Sequence, residues 1–232
     1  MVPQILPLGI DGALVRFSTV MSDEANQCAA HLAQILSEDE FGFTDVQGTL
    51  ASVAVRFDPI QTNFSDVRDV IAAQINDATT AQAIPFKQWR IPTLFNGEDL
   101  KEVAAIIGDS AQSVVDEIAS NPVRVLTIGF APGQPYLGEL PERYGIPRQS
   151  QLRPVPAGAL VVAVRQMVLF ANASPTGWRW IGSTAARLFD AGRDPAAILT
   201  SGDMIEFCPV TADQLAKLQS DPMGGVSWDW SS

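Results

Sequence analysis

From Val123 onward the chain consists of short β-rich runs separated by glycine and proline, and this pattern limits the fold more than any other feature. The runs are Val123 to Phe130, Ala159 to Val164, Met167 to Ala171, Trp178 to Ile181 and Met204 to Phe207. Several short strands separated by turn residues are typical of a closed barrel or a sandwich. The second half of the chain is therefore predicted to be a β domain.

The first 80 residues have a different pattern, in which strands and helices alternate. Residues 13–17 and 51–57 have the composition or alternation of strands. Ser22 and Ser65 precede apolar stripes with helical spacing, so each is predicted to cap a helix. This order predicts a small α+β module with two helices on one face of a sheet.

Small and polar residues from Ala78 to Ala83 predict a joint between two domains. We expect an α+β domain over residues 1–80, a β-barrel domain with two leading helices over 84–210, and a C-terminal helix and tail over 211–232. Trp228 and Trp230 in the tail are predicted either to anchor a partner or to pack on the barrel.

Between the joint and the barrel, residues 86–91 predict a strand that ends at Pro92. Two short helices follow, with Gly108 at the end of the first and Asp109 or Ser110 at the start of the second.

The charge of the chain excludes several partners. Its 15 basic and 26 acidic residues give a net charge of −11, which is unsuited to nucleic acid or to an anionic membrane surface. The sequence shows neither a secretory signal nor an apolar run of about 18 residues. We therefore expect a soluble cytoplasmic protein, with Cys28 and Cys208 as reduced thiols.

The residue types also exclude several chemistries. His31 is the single histidine, which excludes Ser-His-Asp and Cys-His arrangements and histidine-based zinc sites from the β domain. None of the three lysines follows a glycine-rich segment, so no P-loop is present. Neither a catalytic residue nor a metal ligand can be named from the residues, and a carboxylate-only Mg²⁺ site would leave no spacing signature.

The segment Gly129 to Gly138 is the most informative, because it leaves a predicted strand and combines glycine, proline and two aromatic residues. Phe130 and Tyr136 offer flat apolar surface, and proline lowers the cost of ordering the loop. The segment is either one wall of a binding site or a rigid plug at the end of a barrel.

Further candidates lie downstream of this segment. Arg148 and Arg153 are each predicted either to clamp a carboxylate or phosphate or to be solvated at the surface. Gln166 is predicted either to bind an amide or carboxylate or to cap a turn. Trp178 and Trp180 alternate along a strand, which favours core packing over a stacking platform.

The segment Gly129 to Leu140 resembles the motif G-F-x-P-G-F-P-Y-L-G-x-L of a subunit family of the ATP-dependent 5-oxoprolinase, also known as allophanate hydrolase subunit 1. The same family contains an inhibitor of a sporulation histidine kinase and subdomains C and D of the urea carboxylase carboxyltransferase. Further matches follow in the family's order: Pro147-Arg148, Pro156-Ala157-Gly158, Gln166, Ser174-Pro175, Gly177-Trp178, Ile181-Gly182, Leu188-Phe189-Asp190 and Gly202-Asp203.

The resemblance implies an α+β chain whose N-terminal domain is followed by a cyclophilin-like β-barrel. It also implies a larger partner subunit of related barrel architecture, a third subunit in the oxoprolinase, and ATP with Mg²⁺ at the level of the complex. Together with the loop composition it assigns a substrate- or partner-binding site to Gly129, Phe130, Pro132, Gly133, Pro135, Tyr136, Leu137, Arg148, Gln166 and Trp178.

The first functional hypothesis from this resemblance is a subunit, inactive alone, of an ATP-dependent amidohydrolase that opens 5-oxoproline or a similar small amide. In that system phosphorylation of the amide oxygen precedes attack by water. The alternatives are a regulatory protein that inhibits a histidine kinase and a component of a biotin-dependent carboxyltransferase.

Three departures from the family pattern bear on the substrate. Gln134 replaces the phenylalanine of the motif, and Thr176 replaces a glycine. Val164 and Arg165 stand where the family has glycines, at a place where backbone is expected to approach a ligand. Histidines that precede the motif in relatives are replaced by isoleucine.

Overall fold

The computed structural model describes residues 3–80 and 85–231, and the chain divides into two compact units, Met1–Ile84 and Pro85–Ser232. The predicted joint, Ala78–Ala83, lies partly outside the described residues, and Ala78–Thr80 belong to the last turn of a helix. No helix in the described part of the chain is long and apolar enough to cross a membrane.

The first unit is a four-stranded antiparallel sheet with two helices packed against it and against each other. Its strand order is β1-β2-β4-β3. The elements are β1 (Gln4–Pro7), β2 (Gly12–Arg16), α1 (Asp23–Leu36), β3 (Asp45–Gly48), β4 (Ser52–Arg56) and α2 (Phe64–Thr80). Strands β2 and β4 and both helices agree with the sequence pattern, whereas β1 and β3 were not predicted.

Of the two helix caps predicted for this unit, one is confirmed and the other is wrong. Ser22 caps α1 as predicted, because its hydroxyl oxygen accepts a hydrogen bond from the Ala25 N–H at 3.2 Å. Helix α2 begins before Ser65, because the Asn63 side-chain oxygen accepts hydrogen bonds from the Ser65 and Asp66 N–H groups. The prediction of Ser65 as the cap was therefore wrong.

The second unit is a closed barrel of seven strands, which confirms the predicted α+β class with a C-terminal β-barrel. The barrel order is β12-β9-β10-β7-β6-β13-β5, and β12 pairs with β5 to close it. The barrel strands are β5 (Lys87–Leu94), β6 (Val123–Ile128), β7 (Pro135–Gly138), β9 (Ala159–Ala163), β10 (Gln166–Leu169), β12 (Arg179–Thr184) and β13 (Met204–Pro209).

Other elements of this unit surround the barrel. Strands β8 (Arg153–Val155) and β11 (Ser174–Thr176) form a separate two-stranded ribbon. Helices α3 (Leu100–Ile107) and α4 (Ala111–Ser120) precede the second barrel strand, with Gly108 ending the first and Ser110 capping the second, as the sequence indicated. Helix α5 (Ala212–Leu218) and β14 (Ser227–Trp230) end the described chain.

One sequence prediction in this unit was wrong, and one alternative that the sequence left open is decided. Pro92 does not end its strand, because β5 changes partner there: Arg90 is the last residue paired with β14, and Thr93 is the first paired with β12. The tail is not a loose end, because Trp228 and Trp230 lie on β14, which pairs with β5. Both features depend on pairing between segments that are distant in sequence.

Two apolar clusters lie on opposite faces of the barrel wall. The interior cluster contains Leu137, Met167 and Leu169, and the exterior cluster contains Val168, Phe170 and Trp178. Since successive side chains of a strand point to opposite faces, neighbours on β7 and β10 belong to different clusters. The exterior cluster includes Val155 of the ribbon, so the ribbon covers this face of the barrel.

Candidate functional site

The segment singled out in the sequence forms a hairpin between β6 and β7. Its loop is closed by a hydrogen bond from the Gly129 N–H to the Gln134 carbonyl oxygen at 3.0 Å, and Ile128 pairs with Pro135. Phe130 has a φ of 70° and is 81% exposed. A non-glycine residue rarely adopts this backbone region, so the hairpin holds an aromatic ring in solvent with a strained backbone.

The hairpin glycine Gly133 serves packing within the chain. Its φ is +68°, and an added Cβ would lie 2.7 Å from the Cβ of Phe189. The expectation that this glycine provides close approach for a ligand is therefore replaced by a structural role, in which the loop packs against residues 188–189.

A cavity of about 260 Å³ lies on the exterior face of the barrel beside this hairpin. Hairpin, barrel and ribbon all contribute to it, through twelve described residues: Phe130, Gln134, Tyr136, Arg148, Gln149, Leu152, Val168, Phe170, Pro175, Thr176, Gly177 and Trp178. Four residues predicted for the binding site, Phe130, Tyr136, Arg148 and Trp178, are thus brought together in one cavity.

The other six predicted residues lie outside the cavity lining. Strand alternation turns Leu137 into the barrel interior, where it is fully buried. Pro135 is buried, Pro132 is exposed on the loop, and Gly129 and Gly133 shape the hairpin backbone. Gln166 lies on β10, where it pairs with Gly138 of β7, and it is not among the residues that line the cavity.

Aromatic rings form much of the cavity wall. The Tyr136 and Trp178 ring centroids are 6.3 Å apart at an interplanar angle of 77°, an edge-on arrangement that aromatic pairs favour. Trp178 and Phe170 also belong to the buried exterior cluster. Trp178 therefore packs in a core, as the sequence favoured, and at the same time presents part of its surface to the cavity.

Arg148 is the one charged side chain among the twelve lining residues. Its guanidinium carbon lies 5.2 Å from the centroid of the Trp178 ring, within the range of a cation–π interaction. Among residues 3–80 and 85–231 it has no carboxylate within ion-pair distance. Because the lining contains no acidic residue, this positive charge is complementary to an anionic group.

Arg153, the second predicted clamp, is occupied within the chain. It pairs with the buried carboxylate of Asp99, which raises the pKa of Arg153, and it donates to the Gln149 side-chain oxygen at 3.2 Å. Its role is therefore to position the segment that carries Arg148.

Arg179 holds the same segment from the other side of the barrel wall. It is buried, and it donates to the Pro147 carbonyl oxygen at 2.5 Å and to Glu102 at 3.0 Å. The Gln149 N–H donates to the Gly177 carbonyl oxygen at 2.6 Å. The backbone groups of both neighbours of Arg148 are therefore hydrogen-bonded, which fixes the backbone position from which its side chain extends over Trp178.

Gln134 is the lining residue that the sequence singled out only as a departure from the family motif. It is 1% exposed, and its side-chain oxygen has no hydrogen-bond partner among the described residues. A buried polar atom left unpaired costs about 1–3 kcal/mol. Most buried polar groups are paired, so this oxygen requires an explanation.

The other departures have structural explanations. The Thr176 hydroxyl oxygen accepts a hydrogen bond from the Trp178 N–H at 3.1 Å, which fixes the turn that carries the cavity tryptophan. Val164 and Arg165, with φ of 46° and 64°, form the tight turn between β9 and β10. Arg165 also donates to the Leu140 carbonyl oxygen at 3.0 Å, so these positions connect strands and do not line the cavity.

The lining does not fit ATP with Mg²⁺. It contains one cation for a triphosphate and no carboxylate for the metal, which takes oxygen ligands. In the described part of the chain, no group of three or more His, Cys, Asp or Glu residues is placed to hold a metal ion.

The chain also matches the model of a known protein family. The model of the carboxyltransferase domain, subdomains C and D, matches residues 3–199, and the chain belongs to this family. The resemblance inferred from the Gly129 to Leu140 motif is thereby confirmed.

Two individual relatives have names that specify an enzyme complex. A 5-oxoprolinase subunit of Bacillus subtilis is 29% identical over 90% of this chain and 93% of its own length. The corresponding 5-oxoprolinase subunit of Escherichia coli O157:H7 is 41% identical over 51% of this chain and 56% of its own length.

Among solved structures, TTHA0988 is similar with a TM-score of 0.77 and 28% identity over 88% of this chain. This chain corresponds to only 40% of the TTHA0988 chain.

Proposed function

We propose that this chain is a subunit of an ATP-dependent amidohydrolase of the 5-oxoprolinase type, and that its cavity binds 5-oxoproline or a similar small amide that carries a carboxylate. The observation that carries the proposal is the unpaired Arg148 as the one charged group of an aromatic cavity. Relatives named as 5-oxoprolinase subunits supply the chemical context.

Each part of the cavity has a role in this proposal. Arg148 binds the substrate carboxylate, because a guanidinium donates two parallel hydrogen bonds to such a group. Tyr136 and Trp178 present aromatic surface to a flat ring. Arg153 and Arg179 hold the Arg148 segment in place, so binding loses little conformational freedom.

The cavity alone does not complete the reaction. Opening an amide requires activation of its oxygen and of a water molecule, and the lining contains no histidine or carboxylate to act as acid or base. We therefore assign ATP, Mg²⁺ and the remaining catalytic groups to a complex with a larger subunit of related barrel architecture and, as in the oxoprolinase, a third subunit. The greater length of TTHA0988 is consistent with a second module joined to this one.

The test is ATP hydrolysis stimulated by 5-oxoproline, measured for this chain, for the neighbouring subunits, and for the mixture. We expect turnover only in the mixture, with glutamate as the product. Turnover by the chain alone at a rate that partners do not raise would contradict the proposal.

A pair of arginine variants makes the assay specific for the cavity. Arg148→Met in the mixture should raise KM for 5-oxoproline at least tenfold. Arg68→Ala, which changes the net charge equally at an exposed position on α2, should leave KM unchanged. Equal behaviour of the two variants would place the substrate elsewhere.

A further inference from the structure

The side chain of Gln134 is held at the buried side of the cavity with one polar atom unused. Its backbone N–H donates to the Ala131 carbonyl oxygen at 3.1 Å, and its own carbonyl oxygen accepts from Gly129 at 3.0 Å. The residue is thus fixed by the hairpin through its backbone. Gln134 is one of the residues that line the cavity, and its buried side-chain oxygen has no partner among the described residues.

Potential donors line the same cavity and leave this oxygen without a hydrogen bond. The cavity also contains the Tyr136 and Thr176 hydroxyls and the Gln149 amide, and the Gln134 oxygen is hydrogen-bonded to none of them. An acceptor that is buried, fixed and unpaired in a cavity is complementary to a ligand that brings its own donor.

We infer that Gln134 determines the specificity of the cavity by accepting a hydrogen bond from an N–H of the ligand, while Arg148 binds its carboxylate. The ligand class is a small, flat acid with an unsubstituted ring N–H, such as a lactam, a cyclic imide or a cyclic urea. The inference rests on the proposed function, from which it takes the substrate to be a small amide. It adds the residue that accepts a hydrogen bond from the N–H group of that substrate.

The positions of the two groups support this division of roles. Arg148 is exposed and stands on the solvent side, where a carboxylate keeps part of its hydration. Gln134 is buried, so a ligand that reaches it has left water, and a missing donor there is not replaced by solvent. A site of this kind rejects an analogue without the donor strongly.

The experiment uses the full chain, with 5-oxoproline and N-methyl-5-oxoproline as probes in titration calorimetry. The wild type should bind the N–H acid at least tenfold more tightly than the N-methyl acid. Gln134→Met, which keeps the length of the side chain without its amide, should lower affinity for the N–H acid to that of the N-methyl acid. Gln134→Leu provides a second variant of the same kind.

Thermal unfolding without ligand gives an independent readout. If the oxygen is unpaired in the free protein, Gln134→Met should raise Tm by about 2–4 °C. Gln88→Leu, a half-buried glutamine of β5 outside the cavity, is the matched control and should leave the preference between the two acids unchanged.

Several results would overturn the inference: equal wild-type affinity for the two acids, binding of neither, equal loss of both in the Gln134 variants, or a lowered Tm in both variants. Its failure is separable from that of the proposed function. The inference alone is contradicted if the complex hydrolyses 5-oxoproline and the preference in KM for the N–H acid over the N-methyl acid is the same in wild type and Gln134→Met. Gln134-dependent binding without hydrolysis in the complex contradicts the proposed function alone.

Discussion

The barrel carries two clusters in which a cation meets aromatic rings, and they differ in what remains unsatisfied. The tail cluster consists of Lys87, Trp89, Trp228 and Trp230. The cavity cluster consists of Arg148, Tyr136, Phe170 and Trp178. Both place a positive charge against an indole ring, and the second also borders a cavity whose lining includes Gln134, which has a side-chain oxygen without a partner among the described residues.

In the tail cluster the cation is surrounded by its own chain. The Lys87 ammonium nitrogen lies 4.7 Å from the centroid of Trp228 and 5.7 Å from those of Trp89 and Trp230. The Trp89 indole N–H donates to the buried carboxylate of Asp203 at 3.0 Å. The ammonium group and the Trp89 indole N–H thus both have partners within the chain, which is typical of an arrangement that stabilises the fold.

In the cavity cluster the cation meets one ring and the rest of the site is open. Arg148 lies 5.2 Å from Trp178, and the Gln134 oxygen has no partner in the part of the chain that the structure describes. We therefore expect the cavity cluster to serve binding and the tail cluster to stabilise the fold.

The largest expected effect comes from breaking the tail cluster at Asp203. This carboxylate is 3% exposed and accepts from the Trp89 indole, the Lys87 N–H, and the N–H and hydroxyl of Thr200. Asp203→Ala leaves these donors unpaired, and we expect a loss of about 3 kcal/mol in unfolding free energy.

Denaturant unfolding followed by tryptophan fluorescence measures this loss, because all five tryptophans lie in the second unit. Asp229→Ala is the control: because its pair with Arg90 is exposed, we expect a much smaller loss than for Asp203→Ala. Similar losses in the two variants would show that Asp203 does not organise the cluster.

Removing the cation of the cavity should weaken ligand binding and leave the stability of the fold unchanged. For Arg148→Met we expect affinity for 5-oxoproline to fall by about 2 kcal/mol, since a charge-assisted hydrogen bond contributes about 1.5–3 kcal/mol. Calorimetry and thermal unfolding on one sample separate the two quantities. A lowered Tm with unchanged affinity would make Arg148 a structural residue like Lys87.

Removing a ring from the cavity wall should have a smaller effect of the same kind. Tyr136→Ala should weaken ligand binding by about 1–2 kcal/mol, because the flat surface opposite the ligand is lost. Tyr136→Phe keeps that surface and should retain most of the affinity. If Tyr136→Ala lowered Tm without changing affinity, the hairpin would act as a plug of the barrel end.

The smallest effect is expected at the outer ring of the tail cluster. Trp230 is 60% exposed, and Trp230→Ala removes its contact with Lys87 and its edge-on contact with Trp228. We expect a loss of about 0.5–1 kcal/mol in unfolding free energy and no change in affinity for 5-oxoproline. A change in affinity without a loss of stability would mean that the tail also serves binding.

Local patterns determined a large part of this protein from the sequence alone. The spacing of apolar residues and the cap at Ser22 predicted α1, and the alternation from Ala51 to Phe57 predicted β4, because both depend on residues a few positions apart. The glycine and proline of the Gly129 segment predicted a turn of unusual composition beside a strand. Phe130 and Tyr136, two of the four predicted site residues that line the cavity, belong to this segment.

Only the tertiary structure decided which side chains face the cavity. Tyr136 and Leu137 are neighbours in sequence, yet the barrel wall separates them, because adjacent residues of a strand point to opposite faces. The ribbon of β8 and β11 adds Pro175 and Thr176 to the cavity through pairing across about twenty residues. The unpaired oxygen of Gln134 exists only once those distant segments enclose it, since burial is a property of the assembled barrel and not of any local pattern.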